Sequence, residues 1–348
     1  KLYDSMVNDY VKLYQRLTEK NWPKFSSICF EFTSTSPEKF IHEDISIASY
    51  LILAWQHLKC LVKCFVDLGC GNGLLPFILN DQGFHGYGVD MRARKIWSCP
   101  IYQDLMSSNQ TFRLVERSVD PRNDTYDECD WLIGNHSDEL SPWLPLIALR
   151  TSSRTHSPCH FFLIPCCLFD FTGKFELKQK GESRNDTYLS HLDRVSRTCG
   201  FRVHRDRLRI PSTKSACFVG LSSFKSSTAN DSSMLDLLDK SIDAKLYEKI
   251  RKMLTDADSI PFKERDLDEE KRRSSRNCTI NVADELKVTI VKRVLNHLLL
   301  AATAAADDNK TSSAEWNQGG VRSLKEIVEL FDKATLTKLK SECGGIKT

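Results

Sequence analysis

The chain has 348 residues, a length that suits about two domains. Hydrophobic residues make up 41% and charged residues 27%, a balance that excludes a mostly disordered or fibrous protein. The formal net charge is only +3, so any nucleic-acid-binding surface has to be sought locally.

The cysteine content indicates the compartment. The 13 cysteines include no C-x-x-C pair, and this pattern is typical of reduced thiols in an intracellular protein. No run approaches the roughly 18 apolar residues that span a bilayer, so no membrane partner is expected. No signal peptide is found, and the start at Lys1 rather than Met indicates a fragment. An intracellular location is therefore expected.

Residues 1–62 are predicted to form a helical N-terminal region that packs on the following domain. The first helix is indicated by apolar residues three and four positions apart, namely Val7, Tyr10, Val11, Tyr14 and Leu17. A Ser/Thr/Pro-rich loop, Ser34 to Pro37, separates it from a second helical stretch between Ile45 and Trp55.

Residues 63–225 are predicted to form one α/β domain. Short apolar runs alternate with helical segments, which is the pattern of βαβ units on a parallel sheet. The predicted strands are Cys64–Leu68, Gly86–Asp90, Phe112–Val115, Asp130–Gly134, His160–Ile164, Phe201–Ile210 and Cys217–Leu221. The predicted helices are Leu74–Asp81, Asp138–Leu149 and Thr187–Thr198. The two close strands at the end predict a doubly wound sheet with an antiparallel finish.

Residues 226–348 are predicted to form a helical C-terminal region. A Ser/Thr/Asn-rich linker, residues 222–234, precedes helical patterns at Met234–Leu254 and Asp284–Ala302. The second pattern carries an apolar stripe of Leu286, Ile290, Val291, Val294, Leu295 and Leu298. A capping box, Ser323 with Glu326, predicts a last helix.

A glycine-rich loop follows the first predicted strand and opens a helix. It contains Gly69, Gly71 and Gly73, and close glycines let the backbone turn sharply and approach a ligand. An acid, Asp67, precedes the loop, and a carboxylate is a poor neighbour for a pyrophosphate. It suits the cationic cofactor S-adenosylmethionine, whose amino group it can help to hold. This pattern favours that cofactor over a nucleotide site of another kind.

A second acid supports this interpretation. Asp90 ends the next predicted strand, 21 residues after Gly69, where an acid is placed to bind both ribose hydroxyls of a nucleoside. Glu116, after the third strand, is the candidate for contact with the adenine. The predicted cofactor-binding residues are Asp67, Gly69, Cys70, Gly71, Asn72, Gly73, Asp90, Met91, Glu116 and Asn135.

Several strings of the sequence resemble the tRNA (uracil-2′-O-)-methyltransferase family that modifies position 44 of serine tRNA. They are Asp67–Leu75, Gly88–Ile96, Trp131–Leu140, Phe162–Lys174, Leu208–Lys214, Arg276–Thr279, Trp316–Gly320 and Ser341–Gly345. The resemblance implies a Rossmann-like class I S-adenosylmethionine-dependent methyltransferase fold with helical additions. It also implies methyl transfer to the ribose 2′-oxygen of a uridine, serine tRNA as the partner, and a cytoplasmic enzyme. The helical C-terminal region, residues 226–348, is a candidate for helping to hold tRNA.

The residues after the fourth predicted strand are the candidates for the chemistry. Ligands of open α/β sheets bind beyond the carboxyl ends of the strands, so Asn135 and His136 are predicted to face the methyl transfer. His136 is a candidate general base for a ribose hydroxyl, and a packed or hydrogen-bonded histidine is the alternative. Ser137 or Asp138 is alternatively the cap of the following helix. A methyltransferase that acts on an exocyclic amine is another alternative. Many such enzymes continue with Pro-Pro and an aromatic residue at this point, and this chain does not, which weakens that alternative.

Two basic segments are candidates for contacts with tRNA phosphates. Arg92, Arg94 and Lys95 follow the ribose acid directly. The segment from Lys174 to Lys214 has 11 Lys or Arg against 5 Asp or Glu. Its candidates are Arg202, Arg205, Arg207, Arg209 and Lys214. For both segments the alternative is ordinary solvated surface.

No metal site is predicted. The adjacent Cys166 and Cys167 should point to opposite faces of an extended segment, and Cys60 with Cys64 lacks partners at zinc-ligand spacing. Two other functions stay open at this point. One is a methyltransferase that acts on a base nitrogen or a protein side chain, and the other is a non-catalytic RNA-binding module with a methyltransferase fold.

Overall fold

The computed structural model describes residues 2–32, 37–176, 181–224, 234–259, 261–262, 284–303 and 324–337. The chain contacts divide it into two compact units, Lys1–Lys263 and Glu264–Thr348. All candidate site residues lie in the first unit. The predicted domain boundaries at residues 62 and 225 stay predictions. Within the described ranges, no helix is both long enough and apolar enough to cross a membrane.

The first unit is built on a seven-stranded sheet. The strands are β1 (Phe65–Leu68), β2 (Gly86–Asp90), β3 (Leu114–Glu116), β4 (Trp131–Asn135), β5 (His160–Ile164), β8 (Phe201–Arg207) and β9 (Ala216–Ser222). Their order is β3-β2-β1-β4-β5-β9-β8, and β9 alone runs in the direction opposite to the other six strands. The order reverses between β1 and β4, which is the point where open α/β sheets bind ligands. This topology confirms the predicted Rossmann-like class I methyltransferase fold.

All seven predicted strands are present, with small differences at their ends. The strand predicted to run to Ile210 ends at Arg207. A short hairpin of β6 (Phe169–Asp170) and β7 (Gly173–Lys174) was not predicted, because two-residue strands leave no periodic pattern.

Helices cover both faces of the sheet. The helices of this unit are α1 (Leu2–Phe32), α2 (Pro37–His57), α3 (Leu74–Asp81), α4 (Pro100–Ser108), α5 (Leu144–Thr155), α6 (Arg184–Thr198) and α7 (Ala244–Thr255). The first four pack on one face, in a core that includes Phe65, Trp131 and Phe162. The last three pack on the other face, against Val66, Leu132 and Phe161. Adjacent strand residues thus enter different cores, as strand alternation requires.

The buried face of α1 differs from the predicted stripe. Tyr10, Leu13 and Leu17 are buried, whereas Val7 and Val11 are 39% and 47% exposed. Two helical stripes of apolar residues exist in this segment, and local spacing fits both. Packing against α2 selects the one that is buried.

Two predicted helices begin later than expected. The helix predicted from Asp138 starts at Leu144, because Pro145 suits the first turn of a helix and not its interior. Residues 138–140 form a separate 3₁₀ turn. The stretch predicted from Met234 is a 3₁₀ turn, Met234–Leu237, followed by α7. Asp243 begins α7 by accepting the backbone N–H of Leu246 at 3.0 Å.

The second unit contains α8 (Asp284–Thr303) and α9 (Leu324–Glu329). Val291 and Leu295 of the stripe predicted for α8 are 62% and 51% exposed. Ser323 of the predicted capping box lies outside the described residues.

Candidate active site

The glycine-rich loop connects β1 to α3 in a conformation that needs glycine. Gly69, Gly71 and Gly73 have φ angles of 83°, 55° and 79°, in the left-handed region that other residues rarely adopt. The N–H of Gly69 donates to the carbonyl of Val89 at 2.8 Å, which ties the loop to β2. The side chain of Asn72 accepts the N–H of Leu74 at 2.8 Å at the start of α3. The loop is thus held open at the carboxyl edge of the sheet.

Asp90 closes the other side of this loop. Its Oδ2 accepts the N–H of Gly71 at 2.9 Å, and its Oδ1 accepts the N–H of Arg92 at 3.0 Å. The guanidinium of Arg94 lies 3.6 Å from Oδ1. Each carboxylate oxygen has about two acceptor positions, so acceptor capacity is left for two hydroxyl donors. This geometry fits the predicted ribose contact.

Trp97 is a loop-supporting residue that the sequence analysis missed. Its indole Nε1 donates to the carbonyl of Gly71 at 2.9 Å, and the ring is buried. Trp97 lies in a 3₁₀ turn, Lys95–Ser98, directly after the basic residues that follow β2. The only signal in the sequence was an aromatic residue shortly after Asp90.

Asp67 lies in the middle of the sheet with an unused acceptor. The residue is only 1% exposed, and its carboxylate accepts the backbone N–H of Asn135. Its Oδ1 has no hydrogen-bond partner among the described residues. Burial, and then the charges of Asp44 and Asp90, raise the pKa of Asp67 well above its ordinary value. A buried acceptor of this kind calls for a donor from a ligand.

Helix α2 contributes a further acid, Asp44, that the sequence analysis did not select. The side-chain Nδ2 of Asn135 donates to its Oδ1 at 3.3 Å, and the side chain of Asn72 also hydrogen-bonds to this carboxylate. Burial, with the neighbouring charge of Glu43, raises the pKa of Asp44 to about 7. The signal in the sequence was a pair of adjacent acids at the start of an otherwise apolar stretch.

The end of β4 places Asn135 and His136 beside these acids. Nε2 of His136 lies 3.0 Å from Oε1 of Glu43, and its backbone N–H donates to the carbonyl of Ile164 at 3.1 Å. Its Nδ1 is buried and has no partner in the described part of the chain, as is also true of Oδ1 of Asn135. His136 has a φ of 55°, a conformation that costs energy in a non-glycine residue.

The cap interpretation of Ser137 and Asp138 does not fit the structure. Trp143 precedes α5, and Ser137 makes no side-chain capping hydrogen bond to the 3₁₀ turn that follows it. Asp138 instead accepts a hydrogen bond from the Sγ of Cys166 at 2.7 Å.

Asp138 also belongs to a cluster that spacing did not predict. One ligand atom each of Asp138, Cys166 and Cys167 lies within 4.8 Å of the others, although adjacent cysteines were expected to diverge. A hydrogen bond with Cys167, burial and the charge of Asp138 raise the pKa of the Cys166 thiol. The thiol is therefore protonated, as its hydrogen bond to Asp138 requires.

The remaining cofactor candidates lie around the loop. Cys70 is buried, and a Cβ on Gly88 would approach its Sγ to 2.6 Å, so this contact requires glycine in β2. Met91 is 39% exposed, directly after Asp90. Glu116 ends β3 in register with Asp90, whereas Arg117 turns away to Asp124, 2.7 Å from it. The carboxylate at this edge is therefore that of Glu116.

The basic candidates fall into separate places. Arg94 and Lys95 are exposed and Arg92 is partly buried, all next to Asp90. In the other segment, Arg202, Arg205, Arg207 and Arg209 are exposed and Lys214 is partly buried.

The arginines of β8 do not form one surface. Strand alternation places Arg202 on the face opposite Arg205 and Arg207. The register aligns Arg205 with Phe218 and Leu163, near the carboxyl end of β5, while Arg202 aligns with Leu221 towards the other edge. Only the later arginines therefore lie near the ligand-binding edge.

The comparisons with known proteins agree with this geometry. A family model described as "Predicted AdoMet-dependent methyltransferase" matches residues 4–121. The chain is similar to proteins named "Probable tRNA (uracil-O(2)-)-methyltransferase". The one from Xenopus laevis is 36% identical over 98% of the chain and 54% of the relative. The one from Drosophila melanogaster is 37% identical over 90% of the chain and 53% of the relative. The one from Homo sapiens is 34% identical over 98% of the chain and 49% of the relative.

The chain spans about half the length of these curated relatives. The match nonetheless covers nearly all of the present sequence, including the loop after β1 and the segment after β4. By sequence, the chain is similar to the proteins named tRNA (uracil-O(2)-)-methyltransferase along nearly all of its own length.

Proposed function

We propose that the protein transfers a methyl group from S-adenosylmethionine to the ribose 2′-oxygen of a uridine in tRNA. The observation that carries this proposal is that Asn135, at the switch point of the sheet, joins the acid Asp67 to the segment that holds the Glu43–His136 pair, while Asp90 ends the neighbouring strand. The acids Asp67 and Asp90 suit a cationic nucleoside, and the pair suits the removal of a hydroxyl proton. The names of the relatives support tRNA uridine as the substrate.

The residues present fit the cofactor. Asp90 has acceptor capacity for the ribose hydroxyls, and the glycine loop leaves open space beside Gly71, where an added Cβ would meet nothing within 4 Å. The unpartnered Oδ1 atoms of Asp67 and Asn135 are acceptors for the amino group. When bound, S-adenosylmethionine supplies a methyl group that is already activated by its positive sulfur.

His136 is the residue proposed to take the proton from the 2′-hydroxyl. This role requires the tautomer in which Nε2 donates its proton to Oε1 of Glu43 and Nδ1 carries the free lone pair. Nδ1 is buried in the free protein, so the protein atoms that shield Nδ1 from solvent have to move when the uridine binds. Glu43 then faces a ring that gains positive charge, and stabilises it.

Most of the rate enhancement is proposed to come from positioning. The methyl group needs no covalent enzyme intermediate, so the protein has to hold the 2′-oxygen in line with the carbon–sulfur bond. The basic residues near the ligand-binding edge, Arg205 and Arg207 together with Arg94 and Lys95, are proposed to hold tRNA phosphates.

Position 44 of serine tRNA is the proposed target, and the cytoplasm is the proposed location. The resemblance of the segments after β2, β4 and β5 supports this assignment. The test is incubation of the protein with methyl-labelled S-adenosylmethionine and a serine tRNA transcript, followed by nucleoside analysis and alkaline mapping. A 2′-O-methyluridine at position 44 that blocks alkaline cleavage supports the proposal.

Other outcomes of this assay identify the alternatives. A methyl label on a base, or on a protein in place of tRNA, would contradict the ribose 2′-oxygen as the acceptor. It would still show that the protein is a methyltransferase. Failure of the protein to bind S-adenosylhomocysteine, with retained tRNA binding, would indicate a non-catalytic RNA-binding module. The complementary test is tRNA from cells that lack the protein, mapped for lost 2′-O-methyl groups.

A further inference from the structure

Two buried carboxylates from distant parts of the chain are held together by one asparagine. Asp44 comes from α2 and Asp67 from β1. Asn135 donates its side-chain Nδ2 to Asp44 at 3.3 Å and its backbone N–H to Asp67. The side chain of Asn72 adds a hydrogen bond from the glycine loop to Asp44. The glycine loop, the end of β4 and helix α2 therefore meet at this pair of acids.

This pair has no protein cation. In the described part of the chain, no ion pair joins Asp44 or Asp67 to a lysine or arginine, and both side chains are buried, at 7% and 1% exposure. Oδ1 of Asp67 lacks any partner there. Buried carboxylates without a positive partner are costly, so the arrangement suits a cationic ligand.

The acceptors match an ammonium group in number and in place. An ammonium group has three N–H donors, and the available acceptors are the carboxylates of Asp44 and Asp67 and the unpartnered Oδ1 of Asn135. Asp90 ends the adjacent strand β2 and suits the ribose of the same ligand. The amino-acid end of a nucleoside cofactor therefore reaches the ends of β1 and β4.

We propose that Asp44 and Asp67 together bind the α-ammonium group of S-adenosylmethionine, so that helix α2 forms one wall of the cofactor site. This inference rests on the proposed function, because it assumes that cofactor. Beyond the proposed function, the inference assigns a part in cofactor binding to helix α2, residues 37–57. This helix lies outside the predicted methyltransferase domain of residues 63–225. The inference also predicts that the amino-acid part of the cofactor, and not its adenosine part, depends on Asp44.

The charges around Asp44 give the binding a pH dependence. Among the described residues, the titratable groups near this region are Glu43 on the same helix, Asp67 on β1, Cys70 of the glycine loop, Asp90 on β2 and His136 after β4. Burial raises the pKa of Asp44 to about 7, so part of the free protein carries a proton there at neutral pH. A bound ammonium group favours the ionised form, so binding releases this proton.

The test compares two ligands on the wild-type protein and Asp44→Asn. S-adenosylhomocysteine has the amino acid, and 5′-methylthioadenosine has the same thioether and adenosine without it. Loss of a charge-assisted hydrogen bond should lower the affinity of Asp44→Asn for S-adenosylhomocysteine about ten- to a hundredfold. Its affinity for methylthioadenosine should stay the same, which also shows that the variant is folded. Asp9→Asn, an exposed change on α1, is the matched control.

The second readout is the number of protons released, from calorimetry of S-adenosylhomocysteine binding in two buffers of different ionisation enthalpy. The wild-type protein should release nearly one proton more than Asp44→Asn at about pH 6, and about half a proton more at pH 7. Equal affinities and equal proton release in the two proteins would overturn the inference and leave the proposed function standing. Binding of Mg²⁺ alone that requires Asp44 would overturn it in favour of a metal site. No binding of S-adenosylhomocysteine by the wild-type protein would instead contradict the proposed function.

Discussion

Nε2 of His136 lies 3.0 Å from Oε1 of Glu43, although 93 residues separate the two in the chain. His136 follows β4 and Glu43 lies on α2, so the contact joins the N-terminal helices to the edge of the sheet where ligands bind. A carboxylate at this distance fixes the orientation and the tautomer of an imidazole. This contact makes the general-base hypothesis for His136 testable in two steps.

The first prediction concerns His136 itself. His136→Gln should lower the single-turnover rate of methyl transfer about a hundredfold or more, because a general base acts in the transition state. Cofactor and tRNA affinities should change little. His57→Gln, an exposed change on α2, is the control. A full rate in a normally melting His136→Gln protein would end the general-base hypothesis.

The second prediction concerns Glu43 as a positioning residue. Glu43→Gln keeps an acceptor for Nε2 but loses the charge, and Glu43→Ala loses both. The rate should fall in the order wild type, Gln, Ala, with kcat affected and KM for tRNA nearly unchanged. The ¹⁵N spectrum of the His136 ring should show loss of the Nε2–H tautomer preference in Glu43→Ala. An unchanged ring spectrum together with an unchanged rate would leave Glu43 without this role.

The third prediction concerns the ribose contact. Asp90→Ala removes acceptors from a site that is 7% exposed, and the affinity for S-adenosylhomocysteine should fall about ten- to a hundredfold. Part of this loss should come from the glycine loop, because Oδ2 of Asp90 also holds the N–H of Gly71. Asp104→Ala, an exposed change on α4, should bind normally. Calorimetric titration is the measurement, and equal affinities would exclude Asp90 as the ribose ligand.

The fourth prediction concerns stability and pH in the cofactor-free protein. The pKa of Asp44 is raised to about 7 in the folded state from 3.8, so its ionisation opposes folding increasingly as pH rises between these values. Asp44→Asn removes this cost, and should increase the free energy of unfolding by up to about 4 kcal/mol above pH 7. The difference from wild type should shrink towards pH 4. Urea unfolding of both proteins across this range is the measurement, and a pH-independent difference would contradict the raised pKa.

The fifth prediction separates the arginines of the last strands. Replacing Arg205, Arg207 and Arg209 by Gln should weaken tRNA binding, and should flatten its salt dependence by about one unit of log–log slope for each lost phosphate contact. Arg202→Gln should leave the slope unchanged, because Arg202 lies on the opposite face and towards the other edge. The affinity for S-adenosylhomocysteine should stay the same in both. A slope that responds equally to Arg202→Gln would contradict the division of this segment into two surfaces.

The sequence by itself determined the main strands of the sheet and the glycine-rich loop. Periodicity of two and apolar runs depend on residues next to each other, so β1, β2, β4 and β5 were predicted at nearly their observed bounds. The glycines of the loop and the acids Asp67 and Asp90 were visible for the same reason, since their spacing is local. The start of α5 at Leu144 was missed, although its local signal, Pro145, is present in the sequence.

Only the tertiary structure decided what the N-terminal helices do. Glu43 and Asp44 are far from the loop in sequence, and a pair of acids on a helix usually faces water. Packing of α2 on the sheet buries Asp44 against Asn135 and brings Glu43 to His136. The same holds for Arg202 and Arg205, whose separation follows from strand alternation and register rather than from composition. Contacts between distant segments decide these positions, because burial and charge act through space and not along the chain.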